Sequence, residues 1–187
     1  EVRERIRANL KLNNELLLGH VGRFHNQKNH MFLIEVFGEV VKKNPMARLL
    51  LVGDGGLKEQ ICQKAKAKGI FDYIIFLEKR TDINELLQAM DVFVFPSLFE
   101  GLALALTEAQ AADLPCVIAD TIPKEAILTE KVSVISLEKS PKEWANMILE
   151  SARKYQNRED RVNLLKQKQY DIVENAEVLK KYINSKC

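Results

Sequence analysis

The chain has 187 residues, 47% of them hydrophobic, which fits one domain of ordinary size with a true core. Its 28 basic side chains nearly balance 26 acidic ones, and a net charge of +2 provides no general positive field, so nucleic acid is not an expected partner. Cys62, Cys116 and Cys187 form no C-x-x-C pair and read as free thiols of a reducing compartment; no apolar run approaches the ~18 residues that cross a bilayer. Nothing ahead of the first strand reads as a secretory signal, and a chain that opens at Glu1 without methionine is expected to be a piece of a longer protein.

Two periodicities alternate along the chain. "ELLLGHV" (Glu15 to Val21) is a short apolar run closed by Gly22 and predicts a buried strand. "NHMFLIEVFGEVVKKN" (Asn29 to Asn44) carries Phe32, Val36 and Val40 at helical spacing. "ARLLLVG" (Ala47 to Gly53) is a second strand, and "GLKEQICQKAKAKG" (Gly56 to Gly69) a basic amphipathic helix with a C-terminal glycine. "DYIIFL" (Asp72 to Leu77) is a third strand. "TDINELLQAM" (Thr81 to Met90) is a short helix that Thr81 or Asp82 would cap. "DVFVFP" (Asp91 to Pro96) is a fourth strand, followed by a helix after Gly101 and further strands at Pro115 to Asp120 and Lys131 to Leu137.

From Pro141 the pattern is helical only, with proline in the first turn of "PKEWANMILESARKY" and a closing amphipathic helix in "YDIVENAEVLKKYINS". Strands and helices in alternation predict an α/β fold: a Rossmann-like parallel sheet with helices on both faces. The strands are continuously apolar, as strands covered on both sides must be. The core is expected over about 13–140, with C-terminal helices over 141–187.

Ligands of open parallel sheets bind at the carboxyl ends of the strands. The loop after the first strand, "GHVGRFHNQKNH", lacks both G-x-G-x-x-G and the G-x-x-x-x-G-K-[ST] pattern. It holds Gly22, where backbone can approach a ligand, and two cations that flank the turn, Arg23 and Lys28, which could neutralise a diphosphate or could simply be solvated. His20, His25 and His30 are five apart, the wrong spacing for a metal pair on one helix face. His20 is expected to orient the loop through a hydrogen bond, and His25 could reach a ligand.

Glu100 and Gly101 stand after the fourth strand, where free N–H groups and the helix dipole favour an anion. Glu108 lies two turns on, and its neighbours at three and four residues are Leu104, Ala105, Ala111 and Ala112, all apolar. That setting predicts a carboxylate off the solvated face and in need of donors. A backbone amide, a basic side chain, or a ligand with adjacent hydroxyls such as a ribose would each supply them. Two carboxylates could also form a glycosidase pair, but a loop residue and one two turns down a helix are expected to stand too far apart for that.

In their serial order, "GHVGRFHNQKNHMFLIEVF", "LLLVGDG", "DVFVFPSLFEGLALALTEAQAADLPCVIAD" and "YDIVENAEVLKKY" resemble the carboxyl-terminal half of retaining glycosyltransferases of the GT-B architecture, family 4. The similarity is to bacterial enzymes of exopolysaccharide or capsule assembly. It implies a domain spanning 1–187 that binds a nucleotide-sugar, with the amino-terminal acceptor domain lying outside this chain. It also implies transfer of a hexose, with retention, from a nucleoside-diphosphate sugar to a saccharide or lipid-linked acceptor, a UDP-hexose being the expected donor. No metal or other cofactor is implied.

By this resemblance Arg23 and Lys28 contact the donor diphosphate and Glu108 the ribose, and Gly22 is counted with them among the donor-binding residues. Glu100 contacts the transferred hexose, and the backbone of Gly101, Leu102, Ala103 and Leu104 holds sugar hydroxyls or phosphate. Arg80 lines the base pocket. Arg23, Lys28 and Glu100 are the catalytic candidates. The location implied is cytoplasmic, peripheral on the inner face of the membrane, with membrane contact only through the full-length protein. Glu78, Ala103 and Asp113 stand where relatives usually carry glycine, proline or glycine, and glycine; Asp113 can still take a left-handed turn at some cost. A non-catalytic binding module and a GT-B sugar-nucleotide epimerase are the alternatives on the same fold.

Overall fold

The computed structural model describes residues 1–155. Six parallel strands form one sheet: β1 Leu17–Val21, β2 Arg48–Val52, β3 Ile74–Leu77, β4 Val92–Phe95, β5 Cys116–Ala119 and β6 Val132–Ile135. Their spatial order is β3-β2-β1-β4-β5-β6. The chain therefore winds outward from β1 in one direction and resumes at β4 beside it in the other, which opens a crevice between the loops that follow β1 and β4.

The helices are α1 Val2–Asn9, α2 His30–Lys43, α3 Lys58–Ala67, α4 Ile83–Ala89, α5 Leu104–Ala111 and α6 Pro141–Lys154. α2 packs against α3 and α6, and α4 against α1 and α5, so a helical layer covers each face of the sheet. This double cover explains the apolar runs: Leu49, Leu50 and Leu51 of β2 and all four residues of β4 are fully buried. The register fixes the crevice, with Leu18 beside Val92 and Gly19 beside Phe93, while Val21 pairs with Val52.

Local signals read in the sequence recur. Pro141 is the first residue of α6, and the structure adds a reciprocal capping box between Ser140 and Glu143. Gly69 takes φ +67° just past α3. Asp113 takes φ +52°, and its carboxylate accepts a bond of 2.7 Å from Lys131, both side chains nearly buried. Asp82, and not Thr81, stands at the N-cap of α4, without a side-chain cap bond; its carboxylate is held by Arg80 instead.

Helix α1 was not among the expected elements. Arg3 and Arg7 on its inner face donate to the last carbonyls of α4 and to Asp91, which in turn accepts from the Leu17 amide. The helix predicted over Tyr170 to Ser185 lies outside the described residues.

Candidate functional site

The loop after β1 is shaped by a 3-10 turn, Asn26–Lys28, whose cap is the His25 side chain accepting from the Gln27 amide at 3.4 Å. Asn29 then adopts φ +55° and starts α2. The loop after β4 runs from Pro96 to Ala103. Two hydrogen bonds stitch these loops together: the Leu98 amide donates to the Gln27 carbonyl at 2.8 Å, and the Gln27 side chain donates to the Phe99 carbonyl at 2.9 Å. Beside them the Lys28 ammonium meets the Glu100 carboxylate at 2.6 Å. The same ammonium lies 4.9 Å from the centre of the Phe95 ring. The crevice thus joins two of the three catalytic candidates directly.

A cleft of about 480 Å³ opens beside this pair, lined by Gly22, Arg23, Gly53, Asp54, Arg80 and Ile83 among others. Arg23 is exposed at its mouth. Arg80 is oriented by a two-point contact with Asp82, 2.7 and 2.6 Å. Gly22 leaves room for Lys28, since a Cβ there would stand 3.1 Å from the Lys28 Cε. Gly53 is more constrained: it holds φ +150°, and an added Cβ would stand 2.1 Å from the Gly22 carbonyl oxygen. The floor of the cleft is therefore two strand ends in backbone contact.

The start of α5 lines a smaller hollow of about 80 Å³, formed by Gly101, Leu102, Ala103, Leu104 and Thr107 with the turn at Pro123 to Ala126. Ala103, at the N-cap, makes no side-chain cap bond. Leu98, Phe99, Leu102 and Leu104, on either side of Glu100 in the chain, are exposed, whereas the Glu100 side chain is only 5% exposed.

The expectation for Glu108 is corrected: it is exposed, not buried among apolar neighbours. α5 packs through Leu106, Ala109 and Gln110, and Leu104, the neighbour four residues before Glu108, points outward as well. Alanines and leucines on an outward face gave the appearance of a core. Enough protein still surrounds the carboxyl group for burial to raise its pKa above the usual carboxylate value. Arg23, Lys28, Glu100 and Glu108 all follow β1 or β4, the two strands that flank the crevice.

His20 and His30 lie beneath the loop, not in the site. His20 is fully buried, with Nδ1 2.8 Å from the Val94 carbonyl, and its ring meets that of His30 edge-on at 4.7 Å. Burial, opposed by the Val94 hydrogen bond and reinforced by the Lys28 charge, pushes the His20 pKa down to about 4. Burial, with smaller effects of His20 and Lys28, pushes His30 down to about 2. Both rings are neutral, so no cation competes with Lys28 from below. His25 is exposed in the loop.

Gln27, Phe95, Gly53 and Asp54 were not singled out by sequence reasoning. Gly53 had a local signal, a glycine at the end of an apolar strand. Gln27 and Phe95 acquire their roles only from the adjacency of β1 and β4.

An open 3-2-1-4-5-6 parallel sheet with helices on both faces defines a Rossmann-like domain, with charged groups at the switch point. Residues 15–154 match the family model described as glycosyl transferases group 1. The chain belongs to this glycosyltransferase family. It is 39% identical over 144 residues to EpsF of Bacillus subtilis (strain 168), a protein named as a glycosyltransferase, covering 73% of this chain and 36% of that one. It is 34% identical over 110 residues to the UDP-Gal:alpha-D-GlcNAc-diphosphoundecaprenol alpha-1,3-galactosyltransferase of Escherichia coli, covering 57% of this chain and 28% of that one.

Among solved structures, Anabaena Alr3699/HepE in complex with UDP and glucose superposes with a TM-score of 0.81 at 23% identity, over 98% of this chain and 52% of that chain. The C-terminal domain of a glycosyl transferase group 1 family protein (LpcC) from Francisella tularensis superposes with a TM-score of 0.74 at 22% identity, over 91% of this chain and 93% of that one. At these identities the likeness concerns the fold, which is that of GT-B glycosyltransferases. The chain spans about a third of the length of EpsF and less of the galactosyltransferase.

Proposed function

We propose that this chain is the donor-binding domain of a retaining glycosyltransferase. The whole protein would move a hexose from a nucleoside-diphosphate sugar, a UDP-hexose foremost, to a saccharide or lipid-linked acceptor. The observation that carries this reading is the crevice itself. It gathers a lysine, an arginine at a cleft of nucleotide size and a nearly buried carboxylate onto the loops after two adjacent strands. The chain also matches the C-terminal domain from Francisella over nearly its whole length, and about half of Anabaena Alr3699/HepE, which was solved in complex with UDP and glucose. These matches support residues 1–187 as one donor domain, with the acceptor domain supplied by the remainder of a longer protein.

In this reading the base enters the cleft beside Arg80 and Ile83, and Glu108 accepts hydrogen bonds from the ribose hydroxyls. Its exposure suits that role better than burial would, because the carboxyl can meet a ligand arriving from solvent. Arg23 and Lys28 take the diphosphate, and Glu100 with the backbone of 101–104 takes the hexose. When the bond between the anomeric carbon and the phosphate oxygen breaks, its electron pair stays on the nucleoside diphosphate. Arg23, Lys28 and the N-terminus of α5 stabilise that charge without a metal. No side chain of this domain is assigned as a general base. Transfer requires closure of the second domain over the acceptor, so this domain alone should bind donor and transfer poorly. The full-length enzyme would work at the cytoplasmic side of a membrane; among the described residues no helix is long and apolar enough to cross one.

A calorimetric titration with a panel of UDP- and GDP-sugars tests the proposal. One of them should bind with micromolar or better affinity, and Lys28→Met should weaken it at least tenfold, as loss of a charge-assisted bond worth about 1.5–3 kcal/mol implies. No binding across the panel would refute it.

A further inference from the structure

Lys28 stands between two unlike walls. On one side is the Glu100 carboxylate at 2.6 Å; on the other is the Phe95 ring, its centre 4.9 Å away. Phe95 is fully buried within β4 and cannot move without disturbing the sheet. Glu100 lies outside the sheet, in the loop ahead of α5 between exposed Phe99 and exposed Gly101, and its carboxylate is held at Lys28 by an ion pair and not by strand packing. The two partners therefore differ in mobility. With Lys28 only 16% exposed and Glu100 5%, the pair is shielded from water, and any anion that seeks the ammonium must contend with the carboxylate already on it.

We propose that Glu100 is an exchangeable counter-ion of Lys28. This rests on the nucleotide-sugar reading above. The donor diphosphate takes the ammonium from Glu100, while the Phe95 face keeps the ammonium in place. The released carboxylate turns to the hydroxyls of the transferred hexose. A bare nucleoside diphosphate wins Lys28 but leaves Glu100 without donors in a shielded position, a costly state. A nucleotide-sugar wins Lys28 and re-satisfies Glu100. The exchange therefore favours the intact donor over the spent nucleotide, which assists product release, and it places the discrimination in one pair of side chains.

The test is a double-mutant cycle read by calorimetry. UDP and UDP-glucose, with GDP and GDP-mannose in parallel, are titrated into the wild type, Glu100→Gln, Lys28→Met and the double variant. Glu100→Gln should bind the bare diphosphate about tenfold more tightly than wild type, a coupling within the range found for contacting groups. It should also lose the preference for the sugar-bearing ligand. In the Lys28→Met background, Glu100→Gln should change diphosphate affinity by less than about twofold.

An equal gain in both backgrounds would mean simple charge repulsion and would overturn the exchange. So would unchanged diphosphate affinity in Glu100→Gln. A wild type that binds no nucleoside diphosphate would remove the underlying functional reading as well. Unfolding midpoints check that each variant folds; if Glu100→Gln does not, Glu100→Asp, which keeps the charge but shortens its reach, should show the same tightening.

Discussion

Lys28 and Glu100 stand 72 residues apart in the chain and 2.6 Å apart in space. The order of the strands makes this possible. β1 and β4 are neighbours, both parallel, so the loops leaving their carboxyl ends emerge side by side. Gln27 and Phe99 add a bond between the same loops, which fixes the lysine relative to the glutamate. A charge-assisted pair at such a place links the diphosphate and hexose halves of the proposed donor site.

Glu108 is the first point of test, because its exposure separates binding from stability. Glu108→Gln should shift the unfolding free energy by no more than about 0.5 kcal/mol, as expected of a surface change. It should weaken a ribonucleotide donor roughly tenfold, the loss of hydrogen bonds to a charged acceptor. Wild type should discriminate against the 2′-deoxy nucleotide and the variant should not. Calorimetry with the paired ligands measures both.

The buried histidines make the fold sensitive to mild acid. Their folded pKa values, about 4 for His20 and about 2 for His30, lie below the unfolded value near 6.5. The unfolded chain therefore binds the extra protons. Stability is complete above about pH 6.5 and falls as pH drops from there toward the folded values. At pH 5 each ring should account for about 2 kcal/mol of lost stability. Urea unfolding at pH 7.5 and pH 5 measures this, and His30→Leu should remove about half of the difference. A pH-independent midpoint would contradict the burial of these rings.

Gly53→Ala should damage the cleft directly. The new Cβ would stand 2.1 Å from the Gly22 carbonyl, on a backbone with φ +150°. Strain and overpacking together should cost about 2–3 kcal/mol. Nucleotide-dependent stabilisation should fall as well, because the strand ends that floor the cleft must separate. Thermal unfolding with and without nucleotide measures both effects.

Asp113 and Lys131 offer a structural counterpart far from the crevice. Asp113→Asn takes the carboxylate from a nearly buried ammonium at 2.7 Å and should cost about 3 kcal/mol. The variant should bind nucleotide as wild type does at temperatures where it is folded. Weakened binding would mean that the turn before β5 reaches the site.

How much of this was legible in the sequence depends on the residue. The strands could be read because double coverage leaves them continuously apolar, as in "LLLV" of β2 and "VFVF" of β4. The start of α6 could be read because a proline suits a first helical turn and Pro141 stands there. Arg23, Lys28 and Glu100 could be named as candidates because they follow strand ends. Their pairing could not, since it depends on which strands are neighbours. Glu108 was misread because composition around a helix does not show which face the protein covers; Leu104 and Leu106 are the same residue type, one 64% exposed and one buried. Helix α1 was missed because its inward face is anchored by Arg3 and Arg7, polar residues whose partners include carbonyls more than 80 residues away.

The central claim is that this domain binds a nucleoside diphosphate through Arg23 and Lys28. Thermal unfolding with saturating UDP, and separately GDP, tests it most directly. At a hundredfold excess over the dissociation constant, one of them should stabilise the wild type by about 2.7 kcal/mol, and Arg23→Ala or Lys28→Met should remove about half of that shift or more. Equal midpoints with and without either nucleotide, or a shift unaffected by both substitutions, would contradict it.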